Sequence, residues 1–233
     1  MAIPSFFHPD LNNRVSIIEL EPGEASHAVK ARRLRVGDAV RIFNGNGLSA
    51  NGILQSIERR AVTLELHDFE EHSRPEQGIS VAVAIPKGDR QKVLIDALTQ
   101  LGVFEIIPLR CERSVSKISK NTVEKWQRVA IEACKQSQNP WLPNVLAELS
   151  LDELLSESMR AFYYADAGGQ AVAELKNKAS TSLLATIIVG PEGGFTSQEF
   201  TKLEQNSISS FKLGPYILRT EAAAIAAVAA FIS

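Results

Sequence analysis

The sequence predicts an α/β protein in two parts, a small N-terminal β-barrel followed by a larger domain built on a mainly parallel sheet. Three observations predict it. Four short β-patterned runs crowd the chain before residue 70, a polar stretch follows them, and from there apolar strands alternate with amphipathic helices. At 233 residues the chain is long enough to bury two cores. Its composition, 45% hydrophobic and 22% charged, is that of an ordinary folded protein and excludes disordered and fibrous classes.

Taken in order, strands are expected over 15–20, 39–43, 48–57 and 61–69, with the turn Asn44-Gly45-Asn46-Gly47 ahead of the third. The stretch 67–78 carries Glu70, Glu71, Ser73, Pro75 and Gly78 without apolar periodicity and reads as the linker, which divides the chain into domains 1–72 and 73–233. Beyond it, an apolar strand over 79–85 precedes a helix over 90–101, where Val93, Leu94, Ala97, Leu98 and Leu101 recur at helical spacing as one buried stripe. A strand over 104–109 and a helix over 122–137 come next, the helix carrying Val123, Trp126, Ala130, Ala133 and Ser137 on one face. Strands over 161–164, 183–189 and 208–213, with a helix over 197–205 between the last two, complete the alternation before an Ala-rich helix over 222–232. Continuous apolar strands between helices indicate a parallel sheet covered on both faces.

A net charge of −2 argues against a general nucleic-acid coat but leaves room for a local basic face. Such a face is concentrated between residues 30 and 41, where Lys30, Arg32, Arg33, Arg35 and Arg41 stand against the single acid Asp38. Taken alone, that cluster fits a solvated charged surface as well as a phosphate-binding track. Cys111 and Cys134 show neither CxxC spacing nor a dense disulfide framework, which fits a reducing cytoplasm. The first seven residues lack an export signal, and the apolar run 222–232 falls short of the roughly 20 residues that span a bilayer, so no membrane is expected. His8, His27, His67 and His72 lack metal-ligand spacing, and no metal is expected. Trp126 and Trp141 are read as core or interface residues.

The string Gly190-Pro191-Glu192-Gly193-Gly194 follows a buried strand directly, and three of its five residues are glycine. Glycine permits positive φ and lets another molecule lie against bare backbone. A tight strand-to-helix turn, with Thr196 as N-cap and Glu199 as its capping-box partner, accounts for the string equally well. The spacing is that of neither a phosphate loop nor a dinucleotide fingerprint, which favours a ligand without a phosphate. A second loop, Leu213-Gly214-Pro215-Tyr216-Ile217-Leu218-Arg219-Thr220-Glu221, also leaves a strand and enters a helix. Loops from successive strands of an open α/β sheet border one crevice at the strands' carboxyl ends. Thr220 and Glu221 fit the ordinary structural roles of cap and first-turn acid as well.

Together, GPEGGF and LGPYILRTEAA resemble the signature of the SPOUT methyltransferases, specifically the RsmE family that makes 3-methyluridine in small-subunit (16S) ribosomal RNA. The similarity extends to Lys87-Gly88-Asp89-Arg90, to Leu101-Gly102-Val103 with Ile107-Pro108-Leu109, to Arg113-Ser114-Val115, and to Glu132-Ala133-Cys134-Lys135-Gln136-Ser137. Nearer the N-terminus, His27, Arg33-Leu34 and Gly37-Asp38 match part of the family's HHLxxVLRLxxGD string. The chain departs from the family's usual residues at Gln100, Asn139 and Ala222, where Glu, Arg and Thr are common, and Ser26 precedes His27 in place of a second His.

The resemblance implies a PUA-like N-terminal barrel, a C-terminal domain tied in a trefoil knot, a homodimer and a cytoplasmic location. Knots are otherwise nearly absent from proteins, so periodicity alone gives no hint of one. It further implies that S-adenosylmethionine is held by Gly190, Pro191, Glu192, Gly193 and Gly194 from the first loop and by Leu213, Gly214, Ile217, Leu218 and Thr220 from the second. The RNA substrate, free or as an assembled small subunit, is expected on His27, Lys30, Arg32, Arg33, Arg35, Lys87, Arg90 and Arg110. Arg219 and Arg113 are the candidates to stabilise the uracil anion, and Glu221, with Glu192, the candidate to take its proton. Two other readings stand beside this one, a methyltransferase acting on another RNA site and a non-catalytic RNA-binding assembly factor.

Overall fold

A computed structural model describes residues 3–58, 61–116, 118–157, 160–176 and 184–232. The side chain of Lys30, expected on the basic track, and Leu183, expected to open a strand, lie outside the described residues. The chain forms two compact units, Met1–Arg74 with Ile131–Leu142, and Pro75–Ala130 with Pro143–Ser233. The first division thus falls at Arg74/Pro75, and a later segment returns to the N-terminal unit.

In that unit, β1 (Ser5–Phe7), β2 (Ile17–Glu19), β3 (Ala39–Phe43), β4 (Leu48–Ile57) and β5 (Val62–Glu71) form one sheet in the order β1-β3-β4-β5-β2. Only the β1–β3 ladder is parallel. Along β4, Ala50, Gly52 and Leu54 turn inward while Asn51, Ile53 and Gln55 face solvent, the period of two that puts one face on a core. That core gathers Phe6, Ile18, Leu20, Ala28, Ile42, Leu54 and Leu64. A short helix, α1 (Pro22–Ser26), runs into one π turn, His27–Ala31.

The expected linker needs correction at both ends. His67 to Glu71 belong to β5, paired with β4 through Asn51↔His67 and Leu48↔Glu71. A register shift between Ser49 and Asn51, with Asp68 at φ 51°, breaks the alternation that would have marked the strand in the sequence. Gly78 belongs to the first strand of the second sheet, where its bare Cα faces the Phe104 ring, 2.3 Å from where a Cβ would lie.

The C-terminal unit is built on β6 (Gly78–Val83), β7 (Glu105–Arg110), β8 (Asn144–Val145), β9 (Leu149–Ser150), β10 (Ala161–Ala171), β11 (Leu184–Val189) and β12 (Ser209–Lys212). Every ladder is parallel, in the order β12-β10-β11-β6-β7-β8, with β9 also on β7. Helices α2 (Arg90–Gln100), α4 (Leu151–Leu155), α5 (Val172–Lys176), α6 (Ser197–Gln205) and α7 (Thr220–Ile232) belong to this unit, as does α3 (Lys120–Ser137) as far as Ala130, its remainder from Ile131 belonging to the first unit. The central strands β6 and β11 are buried along most of their length, as strands covered on both faces must be. On one face α7 lies against β6, β11 and α2; on the other, Ile107, Leu109, Leu154, Ile188 and Leu203 close a second core.

The buried side of α2 differs from its expected stripe. Leu94, Ile95, Leu98 and Thr99 are buried, whereas Val93 is 54% exposed. The Thr99 hydroxyl escapes the usual burial penalty by donating to the Ile95 carbonyl at 2.8 Å, so a polar residue replaces an apolar one inside. Trp126 of α3 is buried, and its indole N–H donates to Gln91 Oε1 at 3.3 Å. Among the described residues, no helix is long and apolar enough to cross a membrane.

Candidate functional site

Three neighbouring strands, β12, β10 and β11, end on the same edge of the parallel sheet, and each sends its carboxyl-terminal segment to one cavity. After β11 comes the Gly190-to-Gly194 loop. It is fixed at its far end by α6, where Thr196 Oγ1 accepts from Glu199 N–H at 3.3 Å and Glu199 Oε2 accepts from Thr196 N–H at 2.8 Å, the reciprocal box the sequence predicts. After β12, the 213–219 loop leads into α7. Thr220 is already helical, and its hydroxyl donates to the Gly190 carbonyl at 3.3 Å, so it stitches the second loop to the first.

The cavity holds about 390 Å³, within the range of small-molecule sites. Gly190, Pro191, Glu192, Gly193, Gly194, Leu213, Gly214, Ile217, Leu218 and Thr220 all line it. A Cβ built on Gly194 or Gly214 would meet nothing within 4 Å, so these backbones border open space that a ligand can occupy. Positive φ belongs to Gly194 alone in this loop, at 69°. Gly190 is small for another reason, since a Cβ there would lie 3.0 Å from the Phe195 ring. Phe195 in turn packs edge-on against Tyr164 and Phe200. The rim is apolar and bare, with Tyr216 85% and Ile217 93% exposed.

The three catalytic candidates flank this cavity and do not line it. Arg113 reaches across to donate from Nη1 to the Gly193 carbonyl at 2.7 Å. Arg219 is exposed at the mouth of α7, with no charged partner among the described residues. Glu221 is buried in the first turn of α7, and its Oε2 accepts no hydrogen bond. Arg90 Nη1 faces that same oxygen at 3.7 Å and holds Glu192 Oε1 at 3.0 Å, tying the start of α7 to the glycine loop.

The residues expected on RNA divide into two kinds. Arg32, Arg33 and Arg35 are exposed, Arg33 in the left-handed region at φ 55°, and Lys87 is exposed as well. Arg90 is committed to its two carboxylates, and Arg110 to Glu148 at 3.3 Å and Glu153 at 3.6 Å. These pairings follow from topology, which carries acids from distant segments to strand ends and was not readable along the chain. His27 packs on Phe6 and lies 3.2 Å from Lys135 Nζ through Nδ1. An ammonium can only donate, so a hydrogen bond between them needs Nδ1 as the acceptor. Lys135 itself is buried and answered by Glu24 and Glu132 at 3.0 and 2.8 Å.

Sequence reasoning missed the third wall, Ala165, Asp166 and Ala167 of β10. The Gly168-Gly169 pair beside it was the available signal. Among the described residues, no cluster of three His, Cys, Asp or Glu could hold a metal ion.

Comparison with known proteins gives consistent matches. The RNA methyltransferase domain model matches residues 73–232, and the RNA methyltransferase PUA domain model matches residues 20–66. Ribosomal RNA small subunit methyltransferase E of Rickettsia conorii is 32% identical over 231 residues, covering 94% of this chain and 92% of that protein. Among solved structures, a methyltransferase from Legionella pneumophila in complex with bound SAM superposes with a TM-score of 0.89 at 25% identity, over 99% of this chain and 97% of that one. The small-subunit methyltransferase E of Neisseria gonorrhoeae, bound to S-adenosyl methionine, gives a TM-score of 0.88 at 26% identity, over 98% and 96%.

Proposed function

The chain belongs to the RNA methyltransferase family represented by ribosomal RNA small subunit methyltransferase E, and from that premise we propose that it transfers a methyl group from S-adenosylmethionine to N3 of a uridine in small-subunit ribosomal RNA. The observation that carries the reading is the cavity at the ends of β10, β11 and β12, walled by side-chain-free backbone and apolar groups. Backbone N–H and C=O groups at such turns can read an adenine edge, while Leu213, Ile217 and Leu218 offer apolar cover. When bound, S-adenosylmethionine supplies an electrophilic methyl on a sulfonium. The protein's part is to bring uridine N3 in line with that methyl, and positioning of this kind is worth about 7–11 kcal/mol.

Arg219 and Arg113, flanking the cavity, are the cations that stabilise negative charge on the uracil carbonyl oxygens as the N3 proton leaves. Glu221 is assigned the proton: its buried Oε2 accepts no hydrogen bond and is faced by the Arg90 guanidinium at 3.7 Å, whose positive charge favours the carboxylate form able to accept. Arg32, Arg33, Arg35 and Lys87 contact RNA phosphates. The finer expectations of a trefoil knot, a homodimer and a cytoplasmic location are part of the same proposal and rest on family membership. Transfer of labelled methyl to small ribosomal subunits from a strain lacking the modification tests it, with mass mapping to name the atom. Label at uridine N3 is expected; label on a ribose or another base would overturn the assignment of the reaction.

A further inference from the structure

Of the three strands that deliver the cavity, only β10 interrupts its own ladder to do so. Ala165 and Gln170 both pair with Phe211 of β12, so the four residues between them leave the sheet and return to the same rung. Gly169 makes the return possible. A Cβ there would stand 2.6 Å from the N, Cα and C atoms of Phe211, a distance no side chain tolerates. Asp166 Oδ2 accepts from the Gly168 N–H at 3.0 Å and closes the turn, leaving Ala165, Asp166 and Ala167 as a wall of the cavity.

The charge of that wall is the informative part. Among the described residues the lining contains two carboxylates, Glu192 and Asp166, and no Lys, Arg or His. Glu192 is answered by Arg90 at 3.0 Å. Asp166 has only a backbone N–H, with no cation beside it among the described residues. One negative charge without a protein cation beside it among the described residues therefore borders a space lined by apolar groups such as Phe195, Leu213 and Ile217, and is free to meet a cation on the ligand.

We propose that Asp166, carried on the β10 excursion, recognises positive charge on the ligand of this cavity. The inference rests on the reading of the cavity as the S-adenosylmethionine site. That ligand carries two cationic centres, the sulfonium and the ammonium of its methionine part, whereas the demethylated product keeps only the ammonium. A carboxylate here favours the charged cofactor over a neutral nucleoside of the same shape.

Asp166→Asn removes the charge and keeps an oxygen to accept from Gly168, so the turn survives. Binding of the full chain to S-adenosylmethionine, S-adenosylhomocysteine and methylthioadenosine, measured by calorimetry, tests the idea. The variant is expected to bind S-adenosylmethionine roughly tenfold to a hundredfold more weakly, the worth of a charge-assisted contact. Methylthioadenosine, which has neither cation, is expected to bind both chains alike. An equal loss for S-adenosylhomocysteine identifies the ammonium as the group met, and an undiminished affinity identifies the sulfonium; either upholds the proposal. Unchanged affinity for S-adenosylmethionine overturns it, as does an equal loss for methylthioadenosine, which would place the carboxylate on the ribose or base. Failure of the wild-type chain to bind any of the three overturns the reading of the cavity itself, before any substitution is made.

Discussion

Gly190, Gly193 and Gly194 share one loop but are small for different reasons. Gly194 adopts φ 69°, Gly190 accommodates the Phe195 ring, and a Cβ on Gly193 would stand 3.3 Å from Arg113 Cδ. Gly193 does not use positive φ, so its substitution acts through Arg113 and not through backbone strain. Gly193→Val is expected to push the guanidinium off the Gly193 carbonyl and weaken S-adenosylmethionine binding, with affinity partly restored in Gly193→Val/Arg113→Ala. Calorimetry on both variants checks this, and no restoration would mean that the valine blocks the ligand directly. At the same scale, burial pushes the thiols of Cys111 and Cys134 up to about 12 from the ordinary 9.0, with the charge of Glu199 adding to the effect at Cys111. The folded chain then holds two protons that the unfolded chain releases above pH 9. Their stabilisation is complete below pH 9 and is lost as pH rises toward 12. Urea unfolding across that window is expected to show a smaller loss of stability in Cys134→Ala than in the parent. At pH 8 neither folded thiol should react with a disulfide reagent at the rate of free cysteine.

At the scale of elements, Glu199 joins α6 to the loop that carries Arg113. Besides closing the box with Thr196, its Oε1 accepts from the Glu112 N–H at 2.9 Å, and the residue is 7% exposed. Glu199→Ala leaves two N–H groups without their carboxylate, and hydrogen bonds to a charged group of this kind are worth about 1.5–3 kcal/mol each in comparable settings. A fall in unfolding free energy of about 3–6 kcal/mol is expected, with a larger loss than for Thr196→Ala, whose cap alone is worth about 1 kcal/mol. Equal losses would show that the Glu112 contact contributes nothing. The Thr196–Glu199 box was legible in the sequence because both of its partners lie three residues apart. The second role of Glu199 was not, because Glu112 lies 87 positions away. The same distinction explains the other differences. Period-two alternation located β4, while the end of β5 was hidden by a bulge and the β10 excursion by its dependence on Phe211, a partner on another strand. The α2 stripe was misplaced because α2 is buried on the sides of both Leu94 and Ile95, which blurs a single apolar face.

For the whole molecule, the glycine loops announced the cavity because backbone without side chains leaves a local mark, and all ten residues expected there line it. The basic track was less legible, since charge counted along the chain ignores acids delivered by the fold. Arg41 has Glu70 at 3.8 Å and a bond to Ser49, while Arg90 and Arg110 each face two carboxylates. Arg32, Arg33 and Arg35 remain exposed in the N-terminal unit, where the PUA domain model also matches. A cation already neutralised by a carboxylate releases few counterions when it meets a phosphate, so these three should dominate the salt dependence of RNA binding. Each phosphate contact contributes about 0.7–0.9 to the slope of log affinity against log salt. Arg32→Glu/Arg33→Glu is therefore expected to flatten that slope by roughly 1.4–1.8 and weaken binding at low salt, with S-adenosylmethionine affinity unchanged. Arg110→Ala should change the slope by less than one full contact. Titration of small-subunit RNA fragments across a salt series decides the matter, and a slope indifferent to Arg32 and Arg33 but sensitive to Arg110 would move the RNA path off the exposed track and onto the paired one.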